Sequence, residues 1–400
     1  MAIQLELYRS APRYLAERAL SGRVPGVVTS PVAPLRLATA KDPNVPGPGW
    51  APVKPLLSGI CGSDLGTISG KASFYFSALV SLPFVLGHEI VGELQEDCDD
   101  LPAGARVVIE PVLSCLARGE DPPCPNCAVG HRGRCDRVTV GHVSAGLQTG
   151  YCKDTGGGWS RSLVAHRSQL HAVPDELPDE SAVLIEPLAC AIHTALRARV
   201  QPNDDVLVVG AGTVGALVTY ALRELTPAGR IIVVAKYAKQ RELAARMGAS
   251  EVIGPKEATN AVRRSSHTMK LTPERGAAFL LGGVDVAIEC AGSAGGLDTA
   301  LRTTKAGGRV VLSAIPATGV DLTPVWFREL EVLGAYTGGV ETIEGEQRGT
   351  FDLALDLAQR APLEGVVGAR YPLRRWREAI DHALAAGKLG TSKVVFEPNA

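Results

Sequence analysis

Four of the chain's nine cysteines fall within the 22 residues "SCLARGEDPPCPNCAVGHRGRC" (114–135). Thiols this dense can hold a metal, pair as disulfides or carry redox chemistry. The Cys124-x-x-Cys127 pair lacks the strand–helix setting of a thioredoxin-like motif, which argues against redox work. An odd cysteine total argues against a complete disulfide framework. The N-terminal stretch "MAIQLELYRSAPRYLAERAL" is broken by charge throughout, so neither a signal peptide nor a membrane span is expected there. A cytoplasmic setting follows, and in reducing surroundings clustered cysteines hold metal more often than they form disulfides. Four thiolates would fill a tetrahedral zinc and leave no position for substrate, so the chemistry is expected elsewhere.

A second set of metal-ligand types is spread over "GICGSDL" (59–65), "GHEIVG" (87–92) and "IEPLACAIHTAL" (185–196). Zinc accepts thiolate sulfur and imidazole nitrogen, here Cys61 and His88, and the carboxylates Glu89 and Glu186 could complete the set. A third signal is "VLVVGAGTVG" (206–215). Gly210 permits a tight turn, Gly212 lets backbone approach a pyrophosphate, and Gly215 allows close helix–strand packing. Thr213 and Val214 open the helix whose free N–H groups face the anion. An acidic residue that binds a ribose 2′-hydroxyl belongs about 20 residues on. That place holds Ala235 and Lys236, with Lys239 and Arg241 close by. A carboxylate would repel a 2′-phosphate and cations bind one, so NADP is expected over NAD. The alternative is that these are ordinary exposed cations at a helix start.

The elements that must position these groups change character near residue 190. Before it, short apolar runs such as "FVLGHEIVGEL" (84–94) and "ARVVIEPV" (105–112) lie among prolines and glycines and predict strands of a β-rich domain. After it, "DVLVVG" (205–210), "RIIVVA" (230–235), "EVI" (251–253), "VDVAIEC" (284–290), "GRVVLSAI" (308–315) and "LEVLGAY" (330–336) alternate with helical stretches. That rhythm predicts an α/β fold, a doubly wound parallel sheet of Rossmann type. Residues 256–283 are long for one connection and suggest an exposed insertion. The expected division is a catalytic domain from 1–189 and 336–400, interrupted by a nucleotide domain over 190–335. With 21% charged residues and a net charge of −1, nothing points to nucleic acid.

The order "GICGSD", "GHE", cysteine cluster, "EPL", "GAGTVG" resembles the zinc-dependent medium-chain dehydrogenase/reductase family, in particular its polyol, sugar and threonine dehydrogenase branches. The resemblance implies a GroES-like catalytic domain holding two zinc ions per chain. It makes Cys61 and His88 catalytic zinc ligands, with Glu89 and Glu186 as the acidic members, bound directly or through water. It makes Asp64 the carboxylate that orients the imidazole and Ser63 the hydroxyl that passes the alcohol proton outward. It places Lys393 near the cofactor phosphates. Where many members end a proton relay in histidine, five residues after the zinc cysteine, this chain has Gly66. Cys124, Cys127 and Cys135 match three of the family's four structural-zinc cysteines. The family's spacing puts the fourth at 121, which is Asp121, whereas Cys115 lies beyond the lengthened loop "LARGEDPP". Cys115, Asp121 and an unmetallated cluster all stay open.

The implied reaction moves a hydride between an alcohol or carbonyl substrate and NAD(P) in a cleft between the domains. Zinc lowers the pKa of a bound hydroxyl from ~16 toward ~7. A homodimer or homotetramer is expected, with no membrane or nucleic-acid partner. A zinc-free quinone or enone reductase of the same fold would have no use for Cys61, His88, Glu89 and Glu186 together. A catalytically silent cofactor-sensing protein would have lost ligands, and none is visibly lost.

Overall fold

A computed structural model describes residues 2–400. The chain forms two compact units. The first runs to Glu186 and takes back Leu355–Gln359 and Leu363–Ala400; the second is Pro187–Ala354 with Arg360–Pro362.

In the second unit six strands lie side by side in the order Glu251–Ile253, Arg230–Val234, Asp205–Val209, Val284–Glu289, Thr304–Leu312, Glu331–Gly334. Every pairing is parallel. Numbered along the chain this is 3-2-1-4-5-6, the order in which dinucleotides bind where it reverses, beyond the ends of strands one and four. Their near-continuous apolar runs are what a sheet covered on both faces requires. The helix Thr213–Leu225 starts at the glycine turn and ends just before Thr226–Pro227, where proline forbids further helix. Residues 256–283 form the helix Ala258–Ser266, ended by His267 in the left-handed region, and a short hairpin of Lys270–Leu271 with Phe279–Leu280.

The unit continues past residue 336, where the strand–helix rhythm fades. The hairpin Val340–Ile343 with Glu346–Gly349 belongs to it. Glu341 on that hairpin meets His193 on the helix Ile185–Arg197, Oε1 to Nδ1, at 2.5 Å.

The first unit carries a seven-stranded mixed sheet and a three-stranded antiparallel one. Between them lies a core that includes Trp159, Phe396, Leu5, Leu86 and Ile68, all fully buried. The run 84–94 is not one strand but two, Phe84–Val85 and Ile90–Leu94. Gly87 breaks it with φ +92, and a side chain there would meet Trp159 Cδ1 at 2.4 Å. The break frees His88 and Glu89 from strand alternation and lets each take its own partner.

Candidate functional site

The glycine turn of the second unit shows why each position tolerates so little. Gly210 has φ +102, and a Cβ there would lie 2.9 Å from Ala291 N. A Cβ on Gly215 would strike the Gly210 carbonyl oxygen at 1.9 Å, so the helix packs on the strand only through glycine. Nothing lies within 4 Å of a Cβ on Gly212, the helix N-cap, which leaves that backbone face open. At the end of strand four, the buried Glu289 accepts from Ala291 N at 3.0 Å and Gly292 N at 3.2 Å, fixing the other side of the reversal. At the end of the second strand Ala235 is buried while Lys236, Lys239 and Arg241 are exposed. Arg241 Nε donates to Ala235 O at 3.3 Å, and Lys239 Nζ pairs with Glu242 at 3.1 Å.

In the first unit Cys61 is the N-cap of the helix Gly62–Ile68, and its N–H donates to Asp64 Oδ2 at 3.0 Å. This reciprocal cap turns the Asp64 carboxylate back toward the helix start. Asp64 Oδ1 lies 3.3 Å from His88 Nδ1, so Nε2 is the ring nitrogen left for other work; Ser63 Oγ stands 3.3 Å from it. Burial works against charge on His88, but Asp64 and then Cys61 outweigh it and hold its pKa well above the ordinary range. Tyr151 extends the chain of contacts, its hydroxyl donating to Asp64 Oδ1 at 3.4 Å and lying 3.2 Å from Thr67 Oγ1. Tyr151 had no signal in the sequence, because nothing in "GLQTGYCKD" ties it to residue 64.

Glu89 turns the other way and forms a buried ion pair with Lys393, on the strand Lys393–Glu397. Gly59 makes room for it, since a Cβ there would sit 1.8 Å from Glu89 Oε2. Burial opposes the Lys393 charge, but Glu89, Cys61 and Glu186 together raise its pKa. Lys393, which the resemblance puts near the cofactor phosphates, is buried in this pair with Glu89. Glu186 is buried in the first turn of the helix Ile185–Arg197.

Around the cysteine cluster, the sulfur atoms of Cys115, Cys124, Cys127 and Cys135 all lie within 4.8 Å of one another. Among the described residues they are the one set of three or more ligand atoms gathered this closely; Cys61, His88, Glu89 and Glu186 are not. Zn–S bonds of ~2.3 Å at tetrahedral angles put sulfurs ~3.8 Å apart. Cys115 Sγ and Cys135 Sγ are 3.7 Å apart, so this donor set fits zinc. Asp121 is exposed and outside the set. Burial raises the pKa of Cys127 and Cys135, whereas at Cys124 backbone N–H groups and neighbouring thiols overcome burial and lower it. Four thiols at this spacing cannot all ionise without a cation among them.

Family models match two stretches: "Alcohol dehydrogenase GroES-like domain" over residues 47–175 and "Zinc-binding dehydrogenase" over 213–359. A sorbitol dehydrogenase of Bacillus subtilis is 29% identical, over 87% of this chain and 90% of its own length. An L-idonate 5-dehydrogenase of Vitis vinifera is 30% identical, over 72% of this chain and 74% of its own. Among solved structures, a protein of Sinorhizobium meliloti described as a zinc-binding dehydrogenase, with NADP bound, is 25% identical. It covers 100% of this chain and 99% of its own at a TM-score of 0.69.

Proposed function

The chain belongs to the zinc-type medium-chain dehydrogenase family, and from that premise we propose that it transfers a hydride between a polyol, sugar, secondary alcohol or amino alcohol and NADP. The observation that carries this is Cys61, Ser63, Asp64 and His88 brought together at one helix start, on a chain whose other unit carries the dinucleotide turn. Cys61 and His88 Nε2 would hold the catalytic zinc with a carboxylate. Glu89, buried against Lys393, or Glu186, buried at its helix start, would supply that carboxylate. When bound, the zinc supplies the Lewis acidity that lets an alcohol hydroxyl ionise near neutral pH. Asp64 fixes the His88 ring and its tautomer. Ser63, whose Oγ lies 3.3 Å from His88 Nε2, would relay the hydroxyl proton. With Gly66 where a relay histidine would stand, the proton passes on through water or a carboxylate.

Cys115, Cys124, Cys127 and Cys135 would hold the second, structural zinc, making two per chain. Cys115→Ser is expected to lower the zinc content by one per chain and the melting temperature by several degrees. Metal analysis and thermal melting check this; unchanged zinc and stability would remove Cys115 from the site. The domain division belongs to the same proposal, a GroES-like catalytic domain interrupted by the Rossmann domain, as do a cytoplasmic location and a homodimer or homotetramer. Among the described residues no helix is long and apolar enough to cross a membrane. Trp326 and Phe327, exposed just before the edge strand Glu331–Gly334, suit a subunit interface.

The NADP preference rests on Lys236, Lys239 and Arg241 around a strand end that offers no carboxylate. A charge-assisted hydrogen bond contributes about 1.5–3 kcal/mol. Lys236→Glu is therefore expected to raise the KM for NADP at least about tenfold and to leave the KM for NAD within about twofold. Steady-state kinetics with both cofactors decides it; a wild-type enzyme that prefers NAD would end the preference outright.

A further inference from the structure

The loop that lengthens the cysteine spacing carries Arg118, which is fully buried. Its five N–H donors reach five backbone carbonyls. Nε donates to Leu113 O at 2.9 Å, one terminal nitrogen to Val140 O at 2.8 Å and Val143 O at 3.0 Å, and the other to Gly146 O at 2.6 Å; Ser144 O accepts from both at 3.4 Å. Backbone locks the same junction. Arg118 N donates to Ser114 O and Cys115 O, and His142 N donates to Arg118 O. A Cβ on Gly141, at φ +92, would lie 2.4 Å from Arg118 O.

Among the described residues the guanidinium has no carboxylate within ion-pair distance. The nearby carboxylate Glu120 is paired with Arg137 at 3.0 Å. Burying a cation without an opposite charge is costly, and carbonyl dipoles alone offset only part of that cost. Burial lowers the Arg118 pKa, and the groups that favour its charge are Cys152, Cys135 and Cys115 ahead of Glu120. A zinc ion with four thiolates carries a net charge of −2, which gives Arg118 the partner it otherwise lacks.

We propose that Arg118 is the internal counter-charge of the four-cysteine metal site, so that metal loading and the packing of residues 138–146 onto the lobe are coupled. The proposal rests on the four-cysteine zinc assignment above. It gives the loop extension a purpose: the residues that interrupt the ligand spacing deliver a cation that offsets one of the site's two negative charges. Arg118 touches no ligand sulfur through a hydrogen bond and is a positioning residue.

The test starts from the zinc-loaded, full-length protein and follows zinc release to a chromophoric chelator. The phase belonging to the cysteine lobe is the one that disappears in Cys115→Ser. Arg118→Met keeps the aliphatic stem and removes the charge; it is expected to weaken zinc retention in that phase 10–100-fold, the range for groups that support metal ligands indirectly. Arg118→Lys keeps the charge without the fork and is expected to fall between the two. Wild-type retention in Arg118→Met, or equal losses in both variants, would overturn the counter-charge role. If Arg118→Met does not fold, hydrogen exchange of the wild type decides. Stripping the lobe should speed exchange at the His142 and Gly146 amides, and unchanged exchange there would overturn the coupling. A wild type with no zinc phase sensitive to Cys115 would instead defeat the underlying zinc assignment.

Discussion

Replacing His88 with alanine is expected to cut kcat/KM at least about a thousandfold and to lower zinc by one per chain, with the cysteine lobe still loaded. His88 is buried, its Nδ1 faces Asp64 and its Nε2 faces Ser63. Removing it takes away one proposed ligand and the group that Asp64 orients. Lewis-acid stabilisation by a catalytic metal is worth several kcal/mol. At 1.36 kcal/mol per tenfold, about 4 kcal/mol is three orders of magnitude. Asp64→Asn should cost less, about 10–100-fold, because the ring survives and only its orientation and basicity change. The ranking is the diagnostic part. Kinetics with sorbitol, other polyols, secondary alcohols and amino alcohols, beside metal analysis of each variant, gives both numbers. Full zinc occupancy and wild-type turnover in His88→Ala would rule out the catalytic site drawn here.

Some of this arrangement was legible in the residues because its physics is local. A glycine at φ +102, a helix N-terminus and a third glycine whose Cβ would lie under 2 Å from a carbonyl oxygen leave their mark within ten positions. So the turn at 206–215 and the helix that follows are read from the chain alone. The cap at Cys61 is local too, since Asp64 sits three residues on. What could not be read depends on partners far away in sequence. Lys393 meets Glu89 across 304 positions (393 − 89), and no spacing rule connects them. Glu341 reaches back to His193, which holds the hairpin after residue 336 with the nucleotide unit although the strand–helix rhythm has ended there. The cysteine loop failed differently. Its extra residues read as slack, whereas Arg118 within them is buried and bonds five carbonyls, and a lone arginine between alanine and glycine gives no periodic sign of burial. Glu17 is the same kind of case, one acidic residue in a helix that otherwise reads as charged and solvent-facing.

Glu17 supports the second large expectation, that the protein loses stability as pH rises from about 4.5 to about 8 and that Glu17→Gln abolishes much of the loss. Glu17 lies on the helix Ala11–Leu20, is fully buried, and neither carboxylate oxygen has a hydrogen-bond partner among the described residues. The adjacent Arg18 does not help it, since its guanidinium donates to Gly70 O at 2.9 Å and covers the Phe74 ring. Burial without compensation pushes the Glu17 pKa from the ordinary 4.5 up to about 8. Because the folded value is the higher one, the stabilising proton is held fully below about pH 4.5. Its contribution declines as pH rises and is gone once pH passes the folded value near 8. A difference of about 3.5 units at 1.36 kcal/mol each sets an upper bound of about 5 kcal/mol. Glutamine keeps the shape and cannot ionise. The variant should therefore match the wild type near pH 4.5 and exceed it by about 3–5 kcal/mol at pH 9. At about 2–4 °C per kcal/mol for a unit of this size, that is on the order of 10 °C in melting temperature. Thermal melts of both proteins from pH 5 to 9 measure the difference. Parallel curves would mean that Glu17 reaches water or a cation in the folded protein, and its burial would then have no energetic consequence.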